Sequence, residues 1–265
     1  MTVDRLARAV REQIAFGRVL PLGGAGDGVW ITENAAADAL RGAVAGLTGV
    51  RVGTLRIGPE AVAEPATHAD TDTDAGGAPL VPVVPLVPLV PPSAVPYGPL
   101  CVAAAFEAAI DRPLPATAER LRTALWSAAH DLLGLAVTSV DLDVTGLMDP
   151  PAGPGALPGF DPAPAPVPAL AAGEDPPPAG NGVVAAALLV PGVARVTSRL
   201  GGFASGLRTA DGGDPPAREV RVQIAVVPGH RALDVARAVA AAVTAAAEPG
   251  SPGPVTTAVV VTAIG

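Results

Sequence analysis

The sequence contains no lysine, so arginine supplies all 17 of its basic residues. These are outnumbered by 25 aspartates and glutamates, which leaves a net charge of −8. A protein that binds nucleic acid through its phosphates needs a basic surface, and this balance argues against a nucleic-acid partner. The acidic residues are concentrated in the middle of the chain, because residues 59–181 carry 3 arginines against 15 acidic residues.

Cysteine and aromatic residues are also scarce. Cys101 is the only cysteine, so an intramolecular disulfide is excluded. A single cysteine is typical of proteins in a reducing compartment. We predict that Cys101 is a small buried side chain. Aromatic residues make up 3% of the chain against 49% for apolar residues as a whole. The core must therefore be built mainly from Ala, Val and Leu.

Long apolar runs free of proline are absent as well. No stretch supplies the roughly 20 apolar residues of a membrane-spanning helix, and no basic segment precedes an apolar one at the N-terminus. The sequence therefore predicts a cytoplasmic protein.

Residues 3–16 have an amphipathic helical pattern, which predicts a helix docked on its own first unit, with an interfacial membrane helix as the alternative. Its apolar positions are Val3, Leu6, Val10 and Ile14, and its basic positions are Arg5, Arg8 and Arg11.

Proline and glycine are abundant, with 31 residues of each, and they are concentrated in particular stretches. Residues 59–98 and 148–181 cannot bury enough apolar surface to offset chain ordering, so both are predicted to be linkers, the second disordered. The first contains PLVPVVPLVPLVPP, residues 79–92, with a proline at every third position from Pro79 to Pro91. This spacing is typical of a polyproline II rod of ~40 Å that acts as a spacer or docking arm.

The C-terminal part of the chain predicts a strand, a helix and a second strand. Apolar residues alternate with others in REVRVQIAVV, recur at helical spacing over residues 231–247, and become β-branched from Val255 to Ile264. This order predicts a right-handed crossover between parallel strands. The predicted core positions are Val220, Val222, Ile224 and Val226 on the strand and Val235, Val239, Val243 and Ala246 on the helix.

The middle of the chain repeats this plan, with a closing strand from Val137 to Leu147. Upstream of each crossover, LTGVRVGTLRIG at residues 47–58 resembles VPGVARVTSRLG at residues 190–201. Each follows an Ala-rich predicted helix, at residues 33–46 and 182–190. The repeated order indicates an internal duplication. Predicted core positions in the middle block are Val102, Ala104, Phe106 and Ala108 on the strand and Leu121, Leu125, Ala129 and Leu132 on the helix.

The duplication predicts an α+β protein of two similar two-layer units, each with the order helix–strand–strand–helix–strand, joined by Pro-rich linkers. Residues 1–26 are assigned to an N-terminal amphipathic helix and Gly-rich arm, residues 27–147 to the first unit and residues 182–265 to the second. The matched core pairs are Leu121 with Val235, Leu125 with Val239, and Val144 with Val261.

The two units differ most in their long connections. The first unit's connection contains the rod, whereas the second unit uses only residues 201–219. We therefore expect that replacing residues 60–96 with the shorter connection costs little stability.

This pattern resembles the alkaline shock protein family of bacterial envelope-stress proteins. The resemblance lies in the turn TGV at Thr48–Val50, its counterpart PGV at Pro191–Val193, and the ending LLGLAVTSVDLDVTGL at Leu132–Leu147. The counterpart of that ending, PGPVTTAVVVTAIG, is looser. The whole arrangement is similar to an actinobacterial group labelled after a nucleopolyhedrovirus protein. The resemblance implies a cytoplasmic protein without catalytic residues that associates with the membrane through partners.

Several acidic and histidine residues invite a metal-site interpretation. DTDTDAG resembles the start of a calcium loop, but its glycine comes one place late and Val81 stands where a bidentate Glu is required, so a solvated linker is predicted. Asp141 and Asp143 share one strand face that is predicted to face water, with a hard-cation site as the alternative. The remaining candidates have no second ligand at metal spacing, and they are His68, His130 and His230.

Two glycine-rich segments and a serine complete the candidates. GGAGDG at Gly23–Gly28 and GGFASG at Gly201–Gly206 lack both GxGxxG and a Gly-Lys-Ser/Thr ending, so turns are predicted. Ser205 lacks the glycine two residues before it that a nucleophile elbow requires. No catalytic, cofactor-binding or metal-binding residue is predicted.

The sequence thus predicts a non-enzymatic scaffold or interaction protein that binds a protein partner or itself. One alternative is an enzyme or small-ligand binder with a cleft between the units. Another is a KH-like RNA binder, although GHRA after Pro228 does not supply the basic GxxG loop. A deep pocket with convergent titratable side chains would favour the enzyme or binder, and a flat sheet edge with an apolar patch would favour the scaffold.

Overall fold

The computed structural model describes residues 18–60, 90–91, 94–149, 181–198, 206–213 and 215–265. The predicted N-terminal helix therefore lies outside the described residues. The elements confirm the α+β class, and a six-residue π-helical turn, Ala128–Leu133, directly continues the second helix. In chain order they are β1 (Val19–Pro21), β2 (Val29–Thr32), α1 (Glu33–Val44), β3 (Val50–Pro59), β4 (Leu100–Ala109), α2 (Leu114–Ser127), β5 (Val137–Met148), α3 (Asn181–Leu188), β6 (Val193–Val196), β7 (Leu207–Gly212), β8 (Ala217–Val226), α4 (Ala232–Ala247) and β9 (Val255–Ile264).

The strands form two sheets. The smaller sheet has the order β3-β4-β5, and the larger has the order β1-β2-β9-β8-β6, with β7 also paired to β8. In each sheet the predicted crossover joins parallel neighbours, β4 to β5 and β8 to β9. The strand before each crossover pair is antiparallel to its neighbour, β3 to β4 and β6 to β8.

The strand registers match across the two halves. Val102 pairs with Val140 in the smaller sheet, and Val220 pairs with Thr257 in the larger one. The sequence repeat matches residue 102 with residue 220, and it matches residue 140 with residue 257. The upstream pieces agree too, since Val50 pairs with Ala108 and Val193 with Val226. The sequence repeat is therefore also a repeat of hydrogen-bonded pairing.

Three predicted core positions are wrong. Ala246 is only half-buried, and its neighbour Ala247 is the buried residue at the end of α4. Leu132 is exposed, because the π-helical turn adds a residue to each turn and brings Leu133 to the buried face instead. Val144 is 40% exposed although its match Val261 is fully buried. The reason is strand order, because β5 is an edge strand whereas β9 lies between β2 and β8.

The predicted connection of the second unit, residues 201–219, also differs from the prediction. It contains β7, which pairs antiparallel with the first half of β8, while β6 pairs with the second half. Together β6 and β7 occupy the positions along β8 that β3 alone occupies along β4. The second unit thus divides one strand into two pieces.

The N-terminal strands belong to the larger sheet, although the sequence places residues 27–32 in the first unit. β2 pairs in parallel with β9, and β1 pairs antiparallel with β2. α1 follows β2 directly and contacts both β9 and β3, so it lies between the two sheets. One contiguous hydrophobic core therefore includes residues of both repeats.

Glu33 is a buried carboxylate that ties the sheets together. Its Oε1 accepts a hydrogen bond from the backbone N–H of Ile57 in β3 at 3.2 Å, and its Oε2 accepts one from the N–H of Arg18 beside β1 at 3.4 Å. The guanidinium groups of Arg18 and Arg56 each lie 3.8 Å from this carboxylate. A buried charge is tolerated when it is paired and hydrogen-bonded in this way.

The predicted linker at 59–98 is in part ordered structure. Pro59 ends β3, and the N–H of Val95 donates to the carbonyl of Val19 at 2.8 Å. Val95 is buried, and Tyr97 packs against Trp30 with ring centroids 6.1 Å apart. Val95 lies within residues 60–96, so replacing that whole range would remove its buried side chain and its hydrogen bond to Val19, which argues against the expectation of little cost. Most of the rod, residues 79–89, lies outside the described residues.

We expect that residues 61–89 alone are dispensable for folding. Replacing them with a Gly–Ser segment of about twelve residues should keep one cooperative thermal transition and change the free energy of unfolding by less than about 1 kcal/mol, because loop-closure entropy depends only logarithmically on length. Tyr97→Ala in the unaltered chain should cost about 2 kcal/mol through lost packing on Trp30. A broadened melt after the replacement would show that the rod packs into the core.

Candidate functional site

The outer face of the β3-β4-β5 sheet is the first candidate surface. Along β4 the even-numbered residues from Leu100 to Ala108 are buried, while Cys101, Ala103, Ala105 and Glu107 face outward. Small alanine side chains in the central strand leave a shallow depression of about 300 Å³. Its lining includes Thr54 and Arg56 from β3, Ala103 and Ala105 from β4, and Asp141 and Asp143 from β5.

The charged side chains on this face are exposed. Asp141 and Asp143 are solvent-exposed, as the sequence predicts. Across the face, Arg51 forms an ion pair with Glu107 at 2.9 Å between Nη1 and Oε2. Neither aspartate forms an ion pair with a described residue. The negative charges on the β5 side of this face are therefore not paired with described basic residues, unlike the charge of Glu107.

Cys101 lies on this face and is only partly buried, which corrects the predicted buried position. Its Sγ is 3.3 Å from Oδ2 of Asp141. Burial raises the pKa of the Cys101 thiol, with the charge of Asp141 acting in the same direction. A protonated thiol is a weak nucleophile, so this pairing does not resemble an activated cysteine.

The free edge of β5 is the second feature of this region. β5 is 12 residues long, and none of the described strands pairs with its outer side. The carbonyl of Val140 accepts a hydrogen bond from Nε of Arg122 at 3.4 Å instead of from a strand. Because alternate residues of a strand direct their backbone groups to the same side, the groups of Leu142 and Val144 also point outward.

Exposed apolar side chains accompany this edge. Val144 and Leu147 on β5 are 40% and 61% exposed, and Ile110, just after β4, is 60% exposed. The N–H of Ile110 donates to the carbonyl of Met148 at 3.2 Å, which places Ile110 beside the end of β5. A long open edge with exposed apolar residues is a template for pairing with another strand.

The other described sheet edges are shorter or protected. β3 has a bulge between Val52 and Leu55, and its Ile57 N–H is bound by Glu33. β1 has only three residues, and the carbonyl of its Val19 accepts a hydrogen bond from the N–H of Val95. β6 and β7 have four and six residues. Bulges, short strands and capped donors are the usual protection of sheet edges.

The glycine-rich segment GGAGDG forms a turn held by Asp27. Oδ2 of Asp27 accepts a hydrogen bond from the N–H of Gly24 at 2.6 Å, and its carboxylate makes two hydrogen bonds to Arg237 of α4 at 3.1 and 2.7 Å. These hydrogen bonds to Arg237 lower the pKa of Asp27. The segment is a turn, as predicted, and the Asp27 carboxylate holds it by binding the backbone N–H of Gly24.

A second depression, about 400 Å³ in volume, lies next to this turn. Its walls are mostly small residues of the turn and of α4, together with Thr244, Glu248 and Thr257. Thr244 and Thr257 are hydrogen-bonded to each other at 2.7 Å between their hydroxyl oxygens. The depression brings two carboxylates, Asp27 and Glu248, to its wall, and the first is already bound by Arg237.

The histidines do not converge. His130 lies in the π-helical turn with Nδ1 3.3 Å from Asp131, while His230 lies in the turn before α4. Within the described part of the chain, no three His, Cys, Asp or Glu side chains are placed to hold a metal ion. The other predicted candidates lie outside the described residues, namely His68, Asp70, Asp72, Asp74, Val81 and the segment 201–205, which includes Ser205.

The sequence does not indicate the contact between Trp30 and the half-buried Tyr97. Trp30 in β2 is fully buried, and the hydroxyl of Tyr97 is buried without a hydrogen-bond partner among the described residues. Burial, with the charge of Asp27 adding to it, raises the pKa of Tyr97 to about 12. A lone Trp and a lone Tyr about 70 residues apart give no sequence pattern that would indicate their contact.

We expect the tyrosinate absorbance of the folded chain to titrate near pH 12. Tyr97 is the only tyrosine, so the signal reports one group. The raised pKa favours the neutral phenol in the folded state, and this contribution to stability is complete below the ordinary pKa of 10.0 and is lost as pH rises towards about 12. The denatured chain should titrate near 10.0, and the same midpoint for the folded chain would contradict the burial of the Tyr97 hydroxyl.

Comparisons with known proteins give no match. No protein-family model matches the chain, no curated protein is similar to it in sequence, and no solved structure is similar to it in fold. No helix in the described part of the chain is long and apolar enough to cross a membrane.

Proposed function

We propose that this chain is a non-enzymatic interaction protein that binds a protein partner through the open edge of β5. The observation that carries the proposal is the contrast between sheet edges. β5 is the longest of the described edge strands, and between its two register shifts against β4 it has a regular stretch, Ser139–Val144, in which Arg122 binds the carbonyl of Val140 and leaves the outward groups of Leu142 and Val144 open. The other described edges are shorter, and they are bulged or capped. Proteins normally protect long edges against unwanted pairing, so the open stretch of β5 favours a binding role.

The arrangement of polar groups also supports binding rather than catalysis. Asp141 and Asp143 are exposed to solvent, and the thiol of Cys101, which lies 3.3 Å from Oδ2 of Asp141, has a raised pKa. Catalytic groups need pKa values matched to proton transfer or nucleophilic attack. The resemblance to the alkaline shock protein family agrees with a cytoplasmic scaffold in envelope stress, and both this family and this location are part of the proposal.

Affinity capture with paired variants tests the proposal. The wild-type chain, Val144→Pro and the double variant His130→Ala/His230→Ala are used as baits in extracts of the native cells. Proline at residue 144 removes an outward-pointing amide without removing a hydrogen bond to β4. We expect Val144→Pro to lose the partners of the wild-type chain and the histidine variant to retain them.

The competing function is an enzyme or small-ligand binder that uses the depression beside Asp27. It predicts the opposite result, with partners or ligands unaffected by Val144→Pro and lost on Thr244→Leu, which fills the depression. Circular dichroism and thermal melts on each bait separate loss of binding from loss of folding.

A further inference from the structure

We propose that the partner segment that pairs with β5 is a strand in which basic and apolar residues alternate. This inference rests on the proposed function and specifies the chemistry of the partner. The basic residues lie on the outer face, opposite Asp141 and Asp143, and the apolar residues lie on the inner face, beside Leu142 and Val144.

The outer face provides the charge complementarity. Asp141 and Asp143 are two residues apart, so they project to the same face of β5. A strand paired with β5 places its side chains about 4.5–5.5 Å from theirs on that face, where opposite charges attract and like charges repel. No described cation pairs with either carboxylate, so the attraction is available to an incoming arginine or lysine.

The inner face provides the apolar contact. Val140, Leu142 and Val144 alternate with the aspartates and face the helix layer, and Val140 is buried whereas Val144 is 40% exposed. Trp126 lies one helical turn beyond Arg122, the residue that reaches the carbonyl of Val140, and is 43% exposed. Alternate apolar residues of a docked strand would cover this open margin between β5 and α2.

The same charges disfavour a second copy of β5 as the partner. An antiparallel β5 pair centred on Leu142 places Asp141 of each copy opposite Asp143 of the other, which sets like charges against each other. β3 of a second copy has basic and apolar residues in partial alternation, but its bulge and the Ile57 N–H bound by Glu33 disrupt its free edge.

The segment that follows β5 in this chain is also a poor partner. Residues 150–180 contain no arginine, and their charged residues are Asp161, Glu174 and Asp175. The same segment is rich in proline, which has no N–H to donate to an edge. Both its charge and its backbone therefore disfavour pairing with β5, and a separate basic strand matches this edge better.

The first experiment measures binding of the full chain to nine-residue synthetic peptides by fluorescence anisotropy. One peptide alternates Val and Arg, one alternates Val and Glu, and one is the Val–Arg peptide with N-methyl groups on alternate amides. We expect the Val–Arg peptide to bind roughly tenfold or more tightly than the Val–Glu peptide, since about two cross-strand pairs change sign. N-methylation on the edge-facing side should abolish binding.

The second experiment assigns the preference to the two aspartates. The double variant Asp141→Asn/Asp143→Asn should bind the Val–Arg and Val–Glu peptides equally well. The double variant Asp38→Asn/Asp234→Asn changes the net charge by the same amount at exposed sites on α1 and α4, and it should keep the wild-type preference. Equal binding of both peptides to the wild-type chain would overturn the inference.

Three further outcomes distinguish failure of this inference from failure of the proposed function. If the peptides do not bind while Val144→Pro still loses the captured partner, the edge is an interaction site but the basic strand is wrong. If the peptides do not bind and sedimentation shows a dimer that Val144→Pro dissociates, a second copy is the occupant and the inference fails. If neither peptide binding nor capture of the partner changes in Val144→Pro, both proposals fail.

Discussion

Gly134→Ala should destabilise the chain by about 2–4 kcal/mol, which is large for the addition of one methyl group. Gly134 ends the π-helical turn with φ +82, a conformation that costs an L-residue roughly 1 kcal/mol. A β-carbon at this position would also lie 2.6 Å from Cβ of Leu233, at the start of α4 in the other repeat. Overpacking of this kind costs about 1–3 kcal/mol more.

Gly250 provides the matched control for this substitution. It follows α4 much as Gly134 follows the first crossover helix, and it has φ +70, but an added β-carbon would meet no atom within 4 Å. Gly250→Ala should therefore lower the free energy of unfolding only by the cost of the left-handed backbone conformation, roughly 1 kcal/mol. Urea unfolding of both variants measures the difference. Equal losses would show that the repeats do not pack closely at Leu233.

Phe106→Ala should destabilise both repeats together, by about 3–5 kcal/mol. Phe106 is a fully buried large side chain of the smaller sheet, and it belongs to a core that continues into the larger sheet. If the core is one cooperative unit, the loss must lower the unfolding midpoint of the whole chain and not of one half.

The two tryptophans make this prediction measurable, because Trp30 lies in the larger sheet and Trp126 lies on α2 next to the smaller one. Trp30→Phe and Trp126→Phe each leave one reporter. Nε1 of Trp30 has no hydrogen-bond partner among the described residues, so Trp30→Phe breaks no described hydrogen bond. In the Phe106→Ala background both reporters should show the same midpoint. A midpoint at Trp30 that stays at the wild-type value would indicate two independently folding units.

The local elements follow from the sequence because each has a strong periodic pattern. Alternation of apolar residues specifies β4 and β8, helical spacing specifies α2 and α4, and the similar strings at residues 47–58 and 190–201 predict the matched pairing of β3 and β6. Both kinds of signal depend on neighbours along the chain, which the sequence shows directly.

The errors arise where distant contacts decide the outcome. The pairing of β2 with β9 joins residues more than 200 positions apart, and nothing within VWIT specifies that partner. The π-helical turn shifts the buried face from Leu132 to Leu133 although the sequence spacing favours a regular helix. The exposure of Val144 follows from strand order, which the alternation within β5 does not encode.

The same distinction applies to the candidate site. The exposure of Asp141 and Asp143 could be predicted, because both fall on the polar side of an alternating strand. The open edge beside them could not, because an edge is defined by the absence of a neighbouring strand. Its identification required the order β3-β4-β5 and the capping of Ile57 by Glu33 on the opposite side.

Amide hydrogen exchange of the chain with its captured partner tests the central claim most directly. If the partner pairs with β5, exchange at Leu142 and Val144 should slow on binding, because their outward N–H groups become hydrogen-bonded. Exchange at Ile57 on the opposite edge should not change, since Glu33 already binds its N–H. Unchanged exchange along β5, with slowing confined to residues 26–28 and 240–248 around the other depression, would contradict the account and favour a ligand binder.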